Sequence, residues 1–415
     1  MATTTEDFPE ILNQISDQTT HVPLEPHLLK GEHNNTSIIY GDRLLCKIFR
    51  KVETGINPDL EIGLFLSKTS ASQGIPHSEH LVPIVGALEY HSKGSAPMTL
   101  GLLRKYIPEI RDAWSHALDN LRDFFEQVLP KYVDITDIEL PSSLLQAALE
   151  VPIPEMAQEF MGNYLLVAEL LGQRTAEMHI ALASDTENKD FAPEPFSSFY
   201  QRSIYQYIRN QAGQALLRLN KHVMQLPNDV QPLAKLVLNQ RELILGHFQE
   251  ILNQKITAMR IRTHGSYCLE EVLYTGKDFI IIDFEGNASR ALSERRMKRS
   301  PLRDVASMIQ SFYYAARVGL RNEKESGILR PDELPLAENW QRFFFCWSSV
   351  AFLKSYLATA DHAAFVPKHP RELKVLLDAF LLEKVILELD YELQNRPTWI
   401  EIPLQRILEL LQNSK

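Results

Sequence analysis

One segment limits the possible folds more than any other: HGSYCLEEVLYTGKDFIIIDFEG, residues 264 to 286. Thr275-Gly276-Lys277-Asp278 has the composition of a turn, and strand formers flank it on both sides. Folding the chain about that turn brings Glu271 to within about one register step of Asp283. Two carboxylates then reach the same end of one hairpin, the kind of oxygen cluster that Mg²⁺ takes. The competing reading is a surface hairpin with charged ends. Around this β island the pattern is helical. Apolar residues recur at helical spacing over Trp114 to Val128, Tyr164 to Ala183 and Gln201 to Gln211. They do so again from Leu233 onward and from Ser300 nearly to the end. Pro370 opens a strongly apolar helix that reaches Gln394 and is closed by Asn395-Arg396-Pro397.

The first third is mixed. Thr36 to Tyr40 and Leu44 to Phe49 read as a hairpin whose turn is supplied by Gly41 and Asp42. Asn57-Pro58-Asp59 starts a helix, with a capping amide, a proline at the first position and an acid in the first turn. Leu81 to Leu88 and Thr99 to Leu103 are further short strands. Lys47 sits inside an apolar strand, where an ammonium is costly without a partner. Glu61, in the next helix, is the expected partner. The competing reading is an edge-strand lysine that faces water. A strand Lys, a helix Glu, a hinge and then an Asp after a second strand is the order found in protein-kinase-like phosphotransferases. The expected fold class is α+β and two-lobed, with a small β-rich N-lobe and a large, mainly helical C-lobe.

A chain of 415 residues, 45% of them hydrophobic, is long enough for more than one core. A formal net charge of −10 makes nucleic acid and anionic membrane poor partners. The start, MATTTEDFPEILNQ, lacks the basic and apolar regions of an export signal. The longest apolar run, Phe343 to Leu353, is far short of the roughly 20 residues of a membrane span. Cys46, Cys268 and Cys346 are scattered without zinc-ligand spacing and are too few for a disulfide framework. A reduced, cytoplasmic protein is expected.

His264-Gly265, Leu269 and Asp283-Phe284-Glu285-Gly286 resemble the maltokinase and trehalose-synthase-associated kinase group of the aminoglycoside-phosphotransferase-like kinases. The resemblance covers about Asn35 to Leu411 in the family's order. It includes NTSIIYGDRLLCKIFRKVETGINPDLEIG, Asp112-Ala113-Trp114, LGQRTAEMHIALA, FAPEPFSSFYQRS, ERRMKRSPLRDVASMIQSFYYAA and LLEKVILELDYELQNRPTWIEIPLQRILELL. It implies ATP-dependent phosphorylation of maltose to maltose 1-phosphate, with ATP and Mg²⁺ as cofactors and trehalose synthase as a partner. It also implies a nucleotide-binding N-lobe over 35–106 and a C-lobe over 107–415 with the catalytic hairpin and the acceptor site. Lys47 is then the residue that contacts the α- and β-phosphates and pairs with Glu61. Leu102 to Tyr106 form the strand and hinge that hold adenine. Asp283 binds Mg²⁺, and Glu271 stands where the family usually has a metal-binding Gln. Asp304 resembles the helix Asp that braces the catalytic loop opened by His264.

Two departures matter. The family's loop reads His-Gly-Asp, and its Asp accepts the proton of the sugar hydroxyl; here that position is Ser266. A hydroxyl is no base near neutral pH, and losing a positioned base costs about 10²–10⁴ in rate, roughly 3–5 kcal/mol of barrier. Glu285 or Glu270 is the nearest substitute. The second departure is that residues 1–34 leave room only for a reduced form of the family's N-terminal cap, a short helix around Glu10 to Ser16. The alternatives are therefore a pseudokinase that partners trehalose synthase and a kinase with another acceptor, such as a different sugar. Arg290, Arg295, Arg296, Lys298 and Arg299 form a basic run that reads either as a phosphate-steering patch or as a solvated face. Trp340, Trp347, Tyr391 and Trp399 read as core aromatics or as sugar-stacking rings.

Overall fold

The computed structural model describes residues 2–4, 24–29, 35–73, 82–108, 111–130, 140–327 and 329–412. The short helix expected around Glu10 to Ser16 lies outside them. The chain divides into two compact units. The first comprises 1–115, 177–192 and 262–298, and the second comprises 116–176, 193–261 and 299–415. Residues 262–298, placed with the helical C-lobe above, group by contact with the sheet of the first unit.

The first unit is built on an antiparallel sheet in the order β1 (Ala2–Thr4), β5 (Ile84–Tyr90), β6 (Met98–Lys105), β4 (Leu44–Phe49), β3 (Asn35–Tyr40), β2 (Pro26–Leu28). The β3–β4 hairpin forms as its turn chemistry requires. Tyr40 pairs with Leu44, and Gly41 and Asp42 take left-handed backbone at φ 55° and 52°, a region that Gly and Asp tolerate best. Helix α1 (Pro58–Gln73) begins at the expected cap, where the Asn57 side-chain oxygen accepts the Asp59 amide at 2.9 Å. Leu60 of α1 packs with Phe49, Leu102 and Ile84 of the sheet. A second, three-stranded sheet runs β11 (Phe279–Ile281), β10 (Val272–Tyr274), β7 (Arg111–Asp112), while β8 (Glu194–Pro195) and β9 (Met259–Arg260) pair with each other in the second unit. The β island is shorter than its sequence suggested, because Glu271 closes a 3₁₀ turn over Leu269–Glu271. The pairing still continues, since the Ile282 amide donates to the Glu271 carbonyl at 3.0 Å.

The second unit is helical. Leu302–Glu325 packs against Leu334–Thr359 and Pro370–Asn395, and the last of these also packs against Glu401–Gln412. The apolar run Phe343 to Leu353 lies within the Leu334–Thr359 helix and is buried. Trp340 and Trp347 are core residues. Trp340 is fully buried, with edge contacts to the Phe124, Phe160 and Phe343 rings. Tyr391 is exposed, and Trp399 lies beside Tyr314 with the Arg321 guanidinium over its ring. The helix expected from Leu233 onward is two helices, Gln231–Asn239 and Arg241–Gln249. The Gln240 amide breaks the run by bonding back to Val237.

Gly172, in the Asn163–Leu182 helix, is where that helix meets Leu334–Thr359 backbone to backbone. A Cβ there would lie 2.2 Å from the Phe352 carbonyl oxygen. In a free helix Gly→Ala is worth roughly 0.5–1 kcal/mol of stabilisation. Here the sign should reverse. Gly172→Ala should cost about 1–3 kcal/mol, the usual size of overpacking, read as a lower midpoint in denaturant unfolding.

Candidate functional site

The site grows from Lys47. Its partner across the sheet is Leu102 of β6, so Lys47, Leu102 and Arg104 share one face. Lys47 is completely buried, and Arg104 nearly so. Two buried cations need anions, and three acids supply them. Lys47 Nζ lies 2.7 Å from Asp283 Oδ1, 2.5 Å from Glu285 Oε1 and 3.7 Å from Asp59 Oδ2. Arg104 Nη2 lies 2.8 Å from Asp283 Oδ1 and 3.5 Å from Asp59 Oδ2. The Asn35 side-chain amide donates to Glu285 at 2.6 Å.

Backbone geometry aims these groups. Asp283 sits in left-handed backbone at φ 63°, a conformation that few residues other than Gly adopt. The next amide, of Phe284, donates to Asp59 Oδ1 at 3.2 Å, which ties the turn after β11 to the start of α1. His264 is buried, with its Nε2 2.8 Å from the Ile282 carbonyl and its ring beside Phe284 and Tyr267. Gly265 approaches Gly286 closely enough that a Cβ would meet its Cα at 3.4 Å. The loop carrying Ser266 is thus held against the turn carrying Asp283. Ser266 itself is exposed, and its hydroxyl has no hydrogen-bond partner among the described residues.

The charges act on one another. Burial alone would lower Lys47, but Asp283, Asp59 and Glu285 outweigh it and hold the ammonium above its ordinary value. Burial alone would raise Asp283, but the charges and hydrogen bonds of Lys47 and Arg104 hold its carboxyl well below the usual carboxylate range. Glu285 is pushed up by burial, which Lys47 only partly offsets. Glu271 is pushed well up, by burial first and then by the charge of Asp283. Among the described residues its carboxylate has no ion-pair or hydrogen-bond partner.

The expected Lys47–Glu61 pair does not form. Glu61 is held instead by Arg296, at 2.5 Å, and by the buried Arg262, at 2.8 Å. Asp59 and Glu61 are two residues apart on α1, so they face different ways, and only Asp59 faces Lys47. The basic run is largely committed to structure. Arg295 binds Glu53 and the Glu285 carbonyl, Arg296 binds Glu61, and Lys298 binds the Lys189 carbonyl. Leu102 is buried in the sheet core, and the Tyr106 amide donates to the Arg43 carbonyl at 2.7 Å. Asp304 belongs to the second unit, buried in the first turn of Leu302–Glu325. Sequence reasoning missed Arg104 and Asp59 as members of the cluster. Asp59 was visible only as a helix-start acid, and Arg104 only as one charge at the end of a strand.

Mg²⁺ keeps several waters and usually takes one or two carboxylates, with phosphates filling further positions. Among the described residues no group of three or more His, Cys, Asp or Glu side chains is placed to hold a metal. Glu271 and Asp283 do fit such a partial site. They lie one position apart across the hairpin, and the unpaired Glu271 carboxylate next to the Asp283 charge is what a cation relieves.

No family model matches the chain. Its fold is similar to that of glucosamine kinase. A structure titled as that enzyme in complex with glucosamine, ADP and inorganic phosphate superposes with a TM-score of 0.67 at 19% identity, over 94% of this chain and 80% of that one. Glucosamine kinase in crystal form B gives 0.64 at 18% identity, over 99% and 86%. The chain has the two-lobed, α+β kinase-like fold.

Removing Glu61 would leave Arg262 buried without its partner. Glu61→Gln should cost about 3–5 kcal/mol, as breaking a buried pair does. Burial raises Glu61, but Arg296 and Arg262 more than reverse it, so its folded pKa lies below the ordinary value. The stabilisation is therefore present above about pH 4.3 and lost as pH falls through the folded value. Chemical denaturation of wild type and Glu61→Gln should show a gap that is wide at pH 7 and narrows below about pH 4.

Proposed function

We propose that this chain is an ATP-dependent phosphotransferase acting on a small sugar. The observation that carries this reading is the convergence of the buried Lys47 with Asp283 at the end of the Glu271–Asp283 hairpin. On this reading Lys47 holds the α- and β-phosphates, exchanging one of its carboxylate partners for them. Leu102 to Tyr106 seat the adenine, and Glu271 and Asp283 hold Mg²⁺. When bound, the metal neutralises charge that develops on the transferring phosphoryl group. His264 keeps the loop of Ser266 against the turn of Asp283. The resemblance to maltokinases makes maltose the first acceptor to test and trehalose synthase the first partner. The likeness of fold to glucosamine kinase adds glucosamine to the acceptors worth testing.

Transfer to a sugar hydroxyl releases one proton. Ser266 can orient that hydroxyl but cannot take the proton. Glu285 is a poor substitute, because Lys47 and Asn35 already hold its carboxylate. The loose transition state of phosphoryl transfer tolerates this lack, since positioning and charge neutralisation dominate. The proton then leaves to water or to a phosphoryl oxygen. The same observation supports a second reading, a pseudokinase that binds nucleotide and acts through its partner.

ATP turnover on maltose, maltotriose, trehalose, glucose and glucosamine, with Mg²⁺ and with Mn²⁺, separates the two. An enzyme gives slow, acceptor-dependent turnover. Ser266→Asp should raise it by about 10², the lower end of base catalysis. Calorimetry should show metal-dependent ATP binding that Asp283→Ala abolishes. If wild type binds nucleotide but neither it nor Ser266→Asp turns over any acceptor, the pseudokinase reading stands. If wild type binds no nucleotide, both readings fail.

A further inference from the structure

Arg104 is the one cation of the cluster that the phosphotransferase reading leaves without a task. We infer that its guanidinium occupies the position of a second divalent cation and restricts the nucleotide complex to one metal ion. This inference rests on the phosphotransferase reading.

The argument starts from Asp283 Oδ1. A carboxylate has about four lone-pair sites, two on each oxygen. Oδ1 already receives Lys47 Nζ at 2.7 Å and Arg104 Nη2 at 2.8 Å, so it has none to spare. A kinase site with two metals needs its Asp to serve both. Here Asp283 offers Oδ2, and once Lys47 turns to phosphate Oδ1 opens only beside Arg104. Lys47 can turn away to phosphate, but Arg104 cannot lose its charge, since a guanidinium stays protonated in proteins. It also has little freedom to leave. It is buried, it lies on the strand paired to that of Lys47, and Asp59 Oδ2 stands 3.5 Å from the same Nη2. A dication on Oδ1 would sit against that fixed positive charge.

Arg104 is thus a positioning residue that sets metal stoichiometry through Asp283.

The test counts Mn²⁺ by paramagnetic resonance titration in the presence of a saturating non-hydrolysable ATP analogue. Wild type should bind one Mn²⁺ per chain. Arg104→Gln should bind a second, and Arg104→Lys, which keeps the charge, should return to one. Because Arg104→Gln leaves Asp59 in excess, Arg104→Gln combined with Asp59→Asn supplies a charge-balanced background, and it too should bind two. Two Mn²⁺ in wild type would overturn the inference on their own, whatever the folding of the variants. So would one Mn²⁺ in every folded variant. Failure of wild type to bind the nucleotide analogue would instead remove the phosphotransferase reading, and this inference with it.

Discussion

A lysine with no exposed surface, in the middle of a sheet, is the constraint on which the rest of the first unit depends. Lys47 cannot be left unpaired there, because an isolated buried ammonium costs far more than any packing gain at one residue returns. The chain meets this cost with acids from two distant places. Asp59 comes from the first turn of α1, next to its capping Asn57. Asp283 and Glu285 come from the turn after β11, more than two hundred residues later in the chain. Sheet, helix and hairpin are therefore tied by charge as well as by the apolar contact of Leu60, Phe49, Ile84 and Leu102.

Much of this was legible in the sequence, and the part that was not has a physical reason. Turn residues and strand formers gave the β3–β4 hairpin and the Thr275–Asp278 turn, because those signals are local. Asn57-Pro58-Asp59 gave the helix start for the same reason. Pairing across the sheet is not local. Nothing in the run LGLLRK says that β6 lies beside β4, so nothing says that Arg104 faces the same way as Lys47. The Lys47–Glu61 error has a similar origin. Two acids two positions apart on a helix offer the same chemistry, and only the partners of the other acid decide between them. Those partners, Arg262 and Arg296, are remote in sequence, and Arg296 lay in a basic run that invited a surface or phosphate reading.

The same geometry bears on what the site has given up. On the proposed reading it has kept the groups that handle phosphate and metal and has lost the one that handles the acceptor proton. The acids fixed in the Lys47–Arg104 cluster do not restore it, since Glu285 is held by Lys47 and Asn35, and Asp283 by Lys47 and Arg104. Glu270 is exposed on the short 3₁₀ turn. A base has to be unpaired, near the hydroxyl and free to change charge. Each acid fixed in the Lys47–Arg104 cluster fails the first of these conditions.

The loop of Ser266 does not depend on its serine. His264 anchors the loop by its ring nitrogen on the Ile282 carbonyl and by its contacts with Phe284 and Tyr267. Gly265 and Gly286 both take positive φ, and their close approach brings the two turns together. Left-handed backbone at a non-glycine residue such as Asp283 costs about 1–3 kcal/mol and persists only where its surroundings fix it. The Phe284 amide on Asp59 and the two cations on Oδ1 do so here. The loop therefore takes its shape from Asp283 and its neighbours, while Ser266 projects from it exposed and unbonded. A change of chemistry at position 266 can leave that framework standing, so on the proposed reading the acceptor side of the site can vary while the phosphate side stays fixed.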